Sequence, residues 1–396
     1  MTPSARLQAA IELLDEIIVA ARDNGASADN IAKKFFKARR YAGSKDRRAV
    51  REHVYAAIRY FGDRPENGRA AMAGLAESQP ELRALFDGSA YGPALLTDGE
   101  ARASGNAIAG WLESKFAQPV KGDEQTALFN RAPLDIRLNS KKADKNKLRD
   151  IWPEIEALPL PGAYRLPTGT SVENSLPYNE GQIEIQDMGS QAIIAACLSG
   201  NLAGLPELVL DMCAGAGGKT LGLAAQLPEN VRIIAADTDR GRLSRIEPRL
   251  RRSGTRNVET MLLSPNKEED ALHSFSGQCD LVLVDAPCTG TGTWRRNPEL
   301  RWRMTPKRLD QTVQLQARLL DLASSMVKPG GRLVYAVCSL LDAEGGDQTE
   351  RFLKSHDEWR DIEVDLPIGR PYRKGTLLTP YHDGTDGFYF TCLEKM

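Results

Sequence analysis

The stretch Asp211-Met-Cys-Ala-Gly-Ala-Gly-Gly-Lys-Thr220 decides how this chain folds. It follows the apolar run Leu208–Asp211 and precedes a helical pattern over Thr220–Gln226. Strand, glycine-rich turn and helix in that order present main-chain N–H groups to a nucleotide-like ligand. Outward from this turn, Val231–Asp237, Thr260–Leu263, Asp280–Asp285 and Arg332–Val337 are expected strands, and Gly241–Arg252 and Leu309–Met326 expected helices. Short apolar strands alternating with amphipathic helices imply an α/β, doubly wound parallel sheet covered on both faces. Gly387–Leu393 reads as a last, antiparallel strand, so residues 181–396 form one domain of this kind.

The rest of the chain reads differently. Residues 1–118 are expected to be an all-α domain. In its first helix, Arg6 to Asn24, the residues Leu7, Ile11, Leu14, Ile18 and Ala21 recur at helical spacing. Residues 119–180 are expected to be a small α+β module, with a strand at Leu134–Leu138, a helix over Ala143–Leu158, and loops at Pro159, Pro161 and Pro167. A multidomain chain suits 396 residues, since domains run at about 150 residues each. Glu12, Asp15 and Glu16 interrupt the first apolar pattern as no secretory signal would allow. No run of 18 apolar residues occurs, so a membrane span is not expected. Six scattered Cys without C-x-x-C spacing, and four His, support neither a metal site nor a disulfide scaffold. The expectation is a reduced, cytoplasmic monomer without metal.

Three ligands compete for the glycine turn. A dinucleotide motif would use Gly215 and Gly217, but Thr220 stands where its third Gly belongs. A P-loop would use Gly218, Lys219 and Thr220, but Cys213 replaces its first Gly, and Leu281–Asp285 resembles the strand and acid that hold magnesium in such enzymes. S-adenosylmethionine (SAM) would lie against the turn with its ribose hydroxyls on Asp237, the acid ending the second strand.

Two cysteines add chemistry. Cys288, in Asp285-Ala-Pro-Cys288, follows the fourth strand, and Cys338 follows the fifth. Ligands of a doubly wound sheet sit at the carboxyl ends of its strands, so both thiols share the rim of the glycine turn. A buried structural Cys is the ordinary fate of one free thiol, and Cys197, Cys279 and Cys392 are read that way. A thiolate adding to carbon 6 of a pyrimidine makes carbon 5 nucleophilic enough to take a methyl group, and a second group is then needed to help expel the thiol.

These residues resemble the Sun/Fmu (RsmB-type) branch of the RNA cytosine-5 methyltransferases. The resemblance covers about residues 127–396, through Gln186–Gln191, Asp211–Thr220, Asp285–Gly292, Gly331–Ser339 with Glu344, and Gly384–Phe388. It implies a class I SAM-dependent methyltransferase (Rossmann-like) domain, preceded by an RRM-like module and a NusB-like RNA-binding domain. Carried over, it makes Cys338 the nucleophile and gives Cys288 a part in product release. Asp285 contacts the target cytosine or the nearby cofactor. Cys213, Ala214, Gly215, Ala216, Gly217, Gly218 and Lys219 line the cofactor site, and Asp237 binds its ribose. The implied substrate is RNA, small-subunit (16S) ribosomal RNA in particular; a P-loop NTPase and a non-enzymatic RNA-binding factor remain the alternatives. The chain departs from the family at Gly215-Ala216, where Ala-Pro is usual, and at Ser264, where an acid usually faces adenine.

A formal net charge of −1 excludes an indiscriminate polycation. The positive charge is concentrated instead. Lys33–Arg51 holds nine basic residues and one acid, with Phe35, Phe36 and Tyr41 interleaved. Arg240–Arg256 holds seven Arg and one acid, and Trp294–Arg308 six basic residues and one acid. Each could track phosphates or be a solvated helix face. For Trp294–Arg308, Trp294 and Trp302 beside guanidinium groups favour an unstacked RNA strand.

Overall fold

The computed structural model describes residues 1–23, 25–143, 145–200 and 204–396. Asn24 and Asp144, which fall in two of the expected helices, lie outside the described residues. The chain divides into two compact units, Met1–Phe116 with Thr293–Arg308, and Ala117–Gly292 with Leu309–Met396.

The first unit is helical, built on α1 (Pro3–Arg22), α2 (Ala28–Ala38), α3 (Ser44–Tyr60) and α4 (Gly68–Ala76). Thr2 caps α1 by accepting from the Ala5 N–H, and Pro3 opens its first turn. The expected stripe of α1 is buried, joined by Ala10, Leu13 and Ile17, because α1 meets other helices on more than one side. Phe35, Phe36, Val54 and Phe61 complete this core.

Thr293–Arg308 corrects the RNA reading of Trp294 and Trp302. Both indoles are 1% exposed. Trp302 belongs to the helical core and donates through Nε1 to the Phe61 carbonyl at 2.8 Å. Trp294 packs edge-on against Phe116, ring centroids 5.9 Å apart. Arg301 donates to the carbonyls of Ile58 and Ala107, and Arg303 to those of Gly25 and Ala26. The aromatic area and the guanidinium donors that suit RNA also suit a core in need of filling and helix-end carbonyls in need of donors.

The second unit carries two sheets. The smaller is antiparallel, from β1 (Leu134–Leu138), β2 (Glu156–Ala157), β3 (Ala163–Leu166) and β4 (Ile183–Ile185), in the order β2-β3-β1-β4. One face covers Ile136, Leu148, Leu166 and Ile183. The other is also buried: Asp135 pairs with Arg165 at 2.7 Å, and Arg137 donates to Gln186 at 2.7 Å.

The larger sheet comprises β5 (Leu208–Asp211), β6 (Arg232–Asp237), β7 (Val258–Leu262), β8 (Cys279–Asp285), β9 (Val327–Val337), β10 (Trp359–Ile362), β11 (Arg370–Tyr372), β12 (Gly375–Leu378) and β13 (Phe388–Lys395). Its order is β11-β12-β13-β9-β8-β5-β6-β7, with β10 also on β13. The five strands from β9 to β7 are parallel, and β13 runs antiparallel to β9 as expected. The order reverses on either side of β5, which makes the β5/β8 rim the switch point where ligands bind. Helices α5 (Met188–Leu198), α6 (Gly218–Gln226), α7 (Ile246–Ser253) and α8 (Pro306–Met326) are among those surrounding it. The single helix expected over Gly241–Arg252 is two, Arg240–Leu243 and Ile246–Ser253. Pro248 has no N–H for the Ser244 carbonyl and its ring crowds that carbonyl, so one helix cannot run through. No helix among the described residues is long and apolar enough to cross a membrane.

Replacing Trp302 by Ala is expected to lower stability by about 3–5 kcal/mol, read as a shifted urea midpoint. A stacking role on RNA would instead cost RNA affinity and leave that midpoint in place.

Candidate active site

The glycine turn leaves β5 under tight main-chain control. Met212 N–H donates to Leu283 O at 2.9 Å and Ala214 N–H to Ala236 O at 2.9 Å, tying the turn to the strands on both sides. Gly215 and Gly217 have φ of 57° and 81°, a region that side chains resist. A Cβ on Gly215 would meet no atom within 4 Å, so the main chain there faces open space. Asp237, at the end of β6, accepts the Gly215 and Asp239 N–H groups, both at 2.7 Å, one on each oxygen. Each oxygen retains a lone pair for a hydroxyl.

The groups a P-loop would need are committed elsewhere. The Lys219 ammonium is buried and pairs with Asp285 at 2.6 Å. Burial pulls its pKa down, but the Asp285 carboxylate outweighs that and the net shift is upward. The Thr220 hydroxyl, fully buried, donates to Asp211 at 2.6 Å instead of reaching toward a metal. Asp211 is itself pushed up to about 7, chiefly by burial and further by the carboxylates of Asp285 and Asp237, against the Thr220 hydrogen bond. Its Oδ1 is buried without a protein partner.

The two cysteines meet. Cys288 Sγ and Cys338 Sγ lie 3.2 Å apart. The hydrogen bond to Cys338 and then burial raise the Cys288 thiol well above its ordinary range. Cys213 is raised by burial. Cys197, Cys279 and Cys392 are buried free thiols apart from this rim. The Cys288 loop is held against the segment before β13 at two glycines, where Gly387 N–H donates to Gly292 O at 2.8 Å. A Cβ on Gly292 would lie 2.0 Å from the Gly387 carbonyl oxygen, so this approach admits glycine alone.

The partners of several site residues escaped the sequence reading. Arg249 and Arg252 stood in a basic run, yet both pair with buried Glu184 on β4, and Arg249 also donates to the Ala216 carbonyl. Through Arg249 the pair of guanidinium groups on Glu184 is tied to the glycine turn. Arg240, Arg242, Arg245 and Arg256 of the same run are exposed. Thr289, Thr291, Gln316 and Ser339 form a buried polar network around Glu344. Ordinary loop hydroxyls carry no pattern that announces such a network.

With its nucleotide turn at the switch point of a doubly wound parallel sheet, the domain has the Rossmann-like fold that class I methyltransferases share. Residues 205–394 match the family model described as 16S rRNA methyltransferase RsmB/F. Over those residues the chain is similar to that family. It is 32% identical over 300 residues to a probable ribosomal RNA small subunit methyltransferase B from Synechocystis, covering 72% of this chain and 66% of that one. It is 34% identical, with the same coverage, to ribosomal RNA small subunit methyltransferase B from Salmonella paratyphi B. The match thus spans slightly less than two thirds of those relatives' length. The solved structure of PH0851 shares the fold, with a TM-score of 0.76 at 21% identity, covering 100% of this chain and 99% of that one.

The residues present fit SAM. An open main-chain cradle at Gly215, an acid at the β6 end with free lone pairs, and an unpartnered buried oxygen on Asp211 are the polar features such a ligand requires.

Asp211 makes stability depend on pH. The unfolded carboxyl ionises near its ordinary 3.8, whereas the folded one holds its proton to about 7. Between those values the folded state binds the extra proton, so stability falls as pH rises from about 4 to about 7. Asp211→Asn is expected to remove this part of the slope in urea unfolding measured across that range.

Proposed function

We propose that this chain transfers a methyl group from SAM to carbon 5 of a cytosine in small-subunit (16S) ribosomal RNA. The observation that carries the reading is the 3.2 Å contact between Cys288 and Cys338 at the ends of adjacent parallel strands, on the rim that bears the glycine turn. Bound SAM, held along Cys213–Lys219 with Asp237 at its ribose, supplies an electrophilic methyl group.

The protein's own part begins with Cys338. Its thiolate adds to carbon 6 of a cytosine turned out of its stack, forming an S–C bond and moving the ring's π electrons toward carbon 5. Asp285, oriented by Lys219 at 2.6 Å, contacts the target base. Once carbon 5 carries the methyl group, its proton leaves to water and the S–C bond breaks. The C5–C6 double bond is restored and the electron pair returns to the Cys338 sulfur. Cys288, in contact with that sulfur, assists this release.

RNA contact is assigned to the exposed face of α2 and α3. Lys33, Lys34, Lys37, Arg40, Lys45, Arg47 and Arg48 are exposed there, as is Tyr41. Phe35 and Phe36 are core residues, with Arg39 lying 3.6 Å over the Phe35 ring, so stacking on RNA would fall to Tyr41. Free thiols suit a reduced cytoplasm, and the reading is of a monomer. The inward commitments of Lys219 and Thr220 disfavour a P-loop NTPase.

Cys338→Ala is expected to abolish methyl transfer to unmodified 16S RNA while SAM binding by titration calorimetry persists. Turnover near that of the parent protein would overturn the nucleophile. Cys288→Ala is expected to accumulate an RNA–protein adduct, seen as a slow band on a denaturing gel when RNA and SAM are both present. Its absence would remove Cys288 from the release step.

A further inference from the structure

Both cysteine-bearing loops end on one buried carboxylate. Glu344 is fully buried. Its Oε1 accepts the Thr289 N–H at 2.9 Å and the Gln316 side-chain amide at 3.0 Å. Its Oε2 accepts the Ser339 hydroxyl at 2.5 Å and the Thr289 hydroxyl. Thr289 directly follows Cys288 and Ser339 directly follows Cys338. Tyr335 OH fixes the Glu344 main chain at 2.6 Å, and Gln316 also donates to the Pro287 carbonyl at 2.9 Å. A neighbouring bridge repeats the theme: Thr291 Oγ1 lies 3.2 Å from Ser339 Oγ and accepts the Leu340 N–H at 2.8 Å.

We infer that Glu344 is a positioning residue: its carboxylate locks the Cys288 loop to the Cys338 loop and thereby sets the contact between the two thiols. The inference rests on the proposed reaction for its catalytic consequence, but its geometry stands without substrate. The donors are two amides and two hydroxyls, and a carboxylate, being acceptor-only, can satisfy all four. Glutamine would turn an NH₂ group toward donors. Hydrogen bonds at best offset the hydration a buried carboxylate gives up, and apolar groups of the same shape can replace such a cluster at little cost, so fold stability alone gives no strong reason to favour one here. Loop register does, because small misplacements of reacting groups cost rate steeply.

The test uses the full-length protein, with Glu344→Gln as the isosteric variant and Ser339→Ala as a second that removes one donor. Diamide takes two hydrogens from the thiol pair, closing a Cys288–Cys338 disulfide as it becomes the hydrazine, and peptide mapping without reductant follows the rate. Glu344→Gln is expected to slow this closure about tenfold and to lower kcat about 10²-fold, with KM for RNA and Kd for SAM within about twofold of the parent. Parental closure and kcat in Glu344→Gln would overturn the inference. So would a loss confined to SAM affinity, which would place the effect of Glu344 at the cofactor cradle and not at the thiols. If Glu344→Gln does not fold, Ser339→Ala decides alone: slower closure with slower turnover supports the inference, and parental rates overturn it. Closure needs neither RNA nor SAM. A parent protein that closes the disulfide but forms no 5-methylcytosine would therefore refute the proposed reaction and leave the positioning result intact.

Discussion

Two main-chain hydrogen bonds hold this site in register: Met212 N–H to Leu283 O and Ala286 N–H to Ala336 O, at 2.9 and 2.8 Å. They mark where β5, β8 and β9 stop pairing, and they stop side by side because parallel strands of one sheet share a polarity. The glycine turn, the Cys288 loop and the Cys338 loop must therefore leave the same rim. Fifty residues separate the two cysteines in the chain, yet the ladder leaves their sulfurs 3.2 Å apart. The glycine contact at Gly292 and Gly387 and the bonds to Glu344 refine a placement that the sheet has already made.

That is also why so much of this site could be read from residues alone. A strand buried on both faces must be apolar throughout, so Leu281–Val284 stands out without any partner being known. Polarity then follows from the helices between strands, and whatever ends each apolar run falls on the ligand side. Asp237, Asp285, Cys288 and Cys338 were legible for this reason.

Side chains whose partners lie far along the chain were not. Trp302 bonds Phe61, 241 positions away, and Glu184 engages Arg249 and Arg252, 65 and 68 positions away. An arginine beside a tryptophan has the same composition whether it faces a nucleic acid or closes a core. The difference lies in which carbonyls and carboxylates the fold leaves unpaired, and local pattern holds no record of that. Helical periodicity failed more narrowly at Pro248, where one missing N–H outweighed an otherwise continuous stripe.

The buried charges divide by what stability can explain. Glu184 takes two guanidinium groups on its two oxygens, a pairing that offsets much of its desolvation and holds the Ala216 carbonyl through Arg249. Lys219 and Asp285 form one short pair, but Asp285 remains partly exposed on the ligand rim while Lys219 is buried beneath it. Burying an ion pair of this kind yields little net stability over an apolar replacement. What the pair does supply is direction. The ammonium fixes one carboxylate oxygen of a side chain that stays partly exposed. In the reaction proposed above, a carboxylate anchored this way would need no reorganisation to meet the target base, and such preorganisation makes a polar group worth more in a water-poor site than in solution.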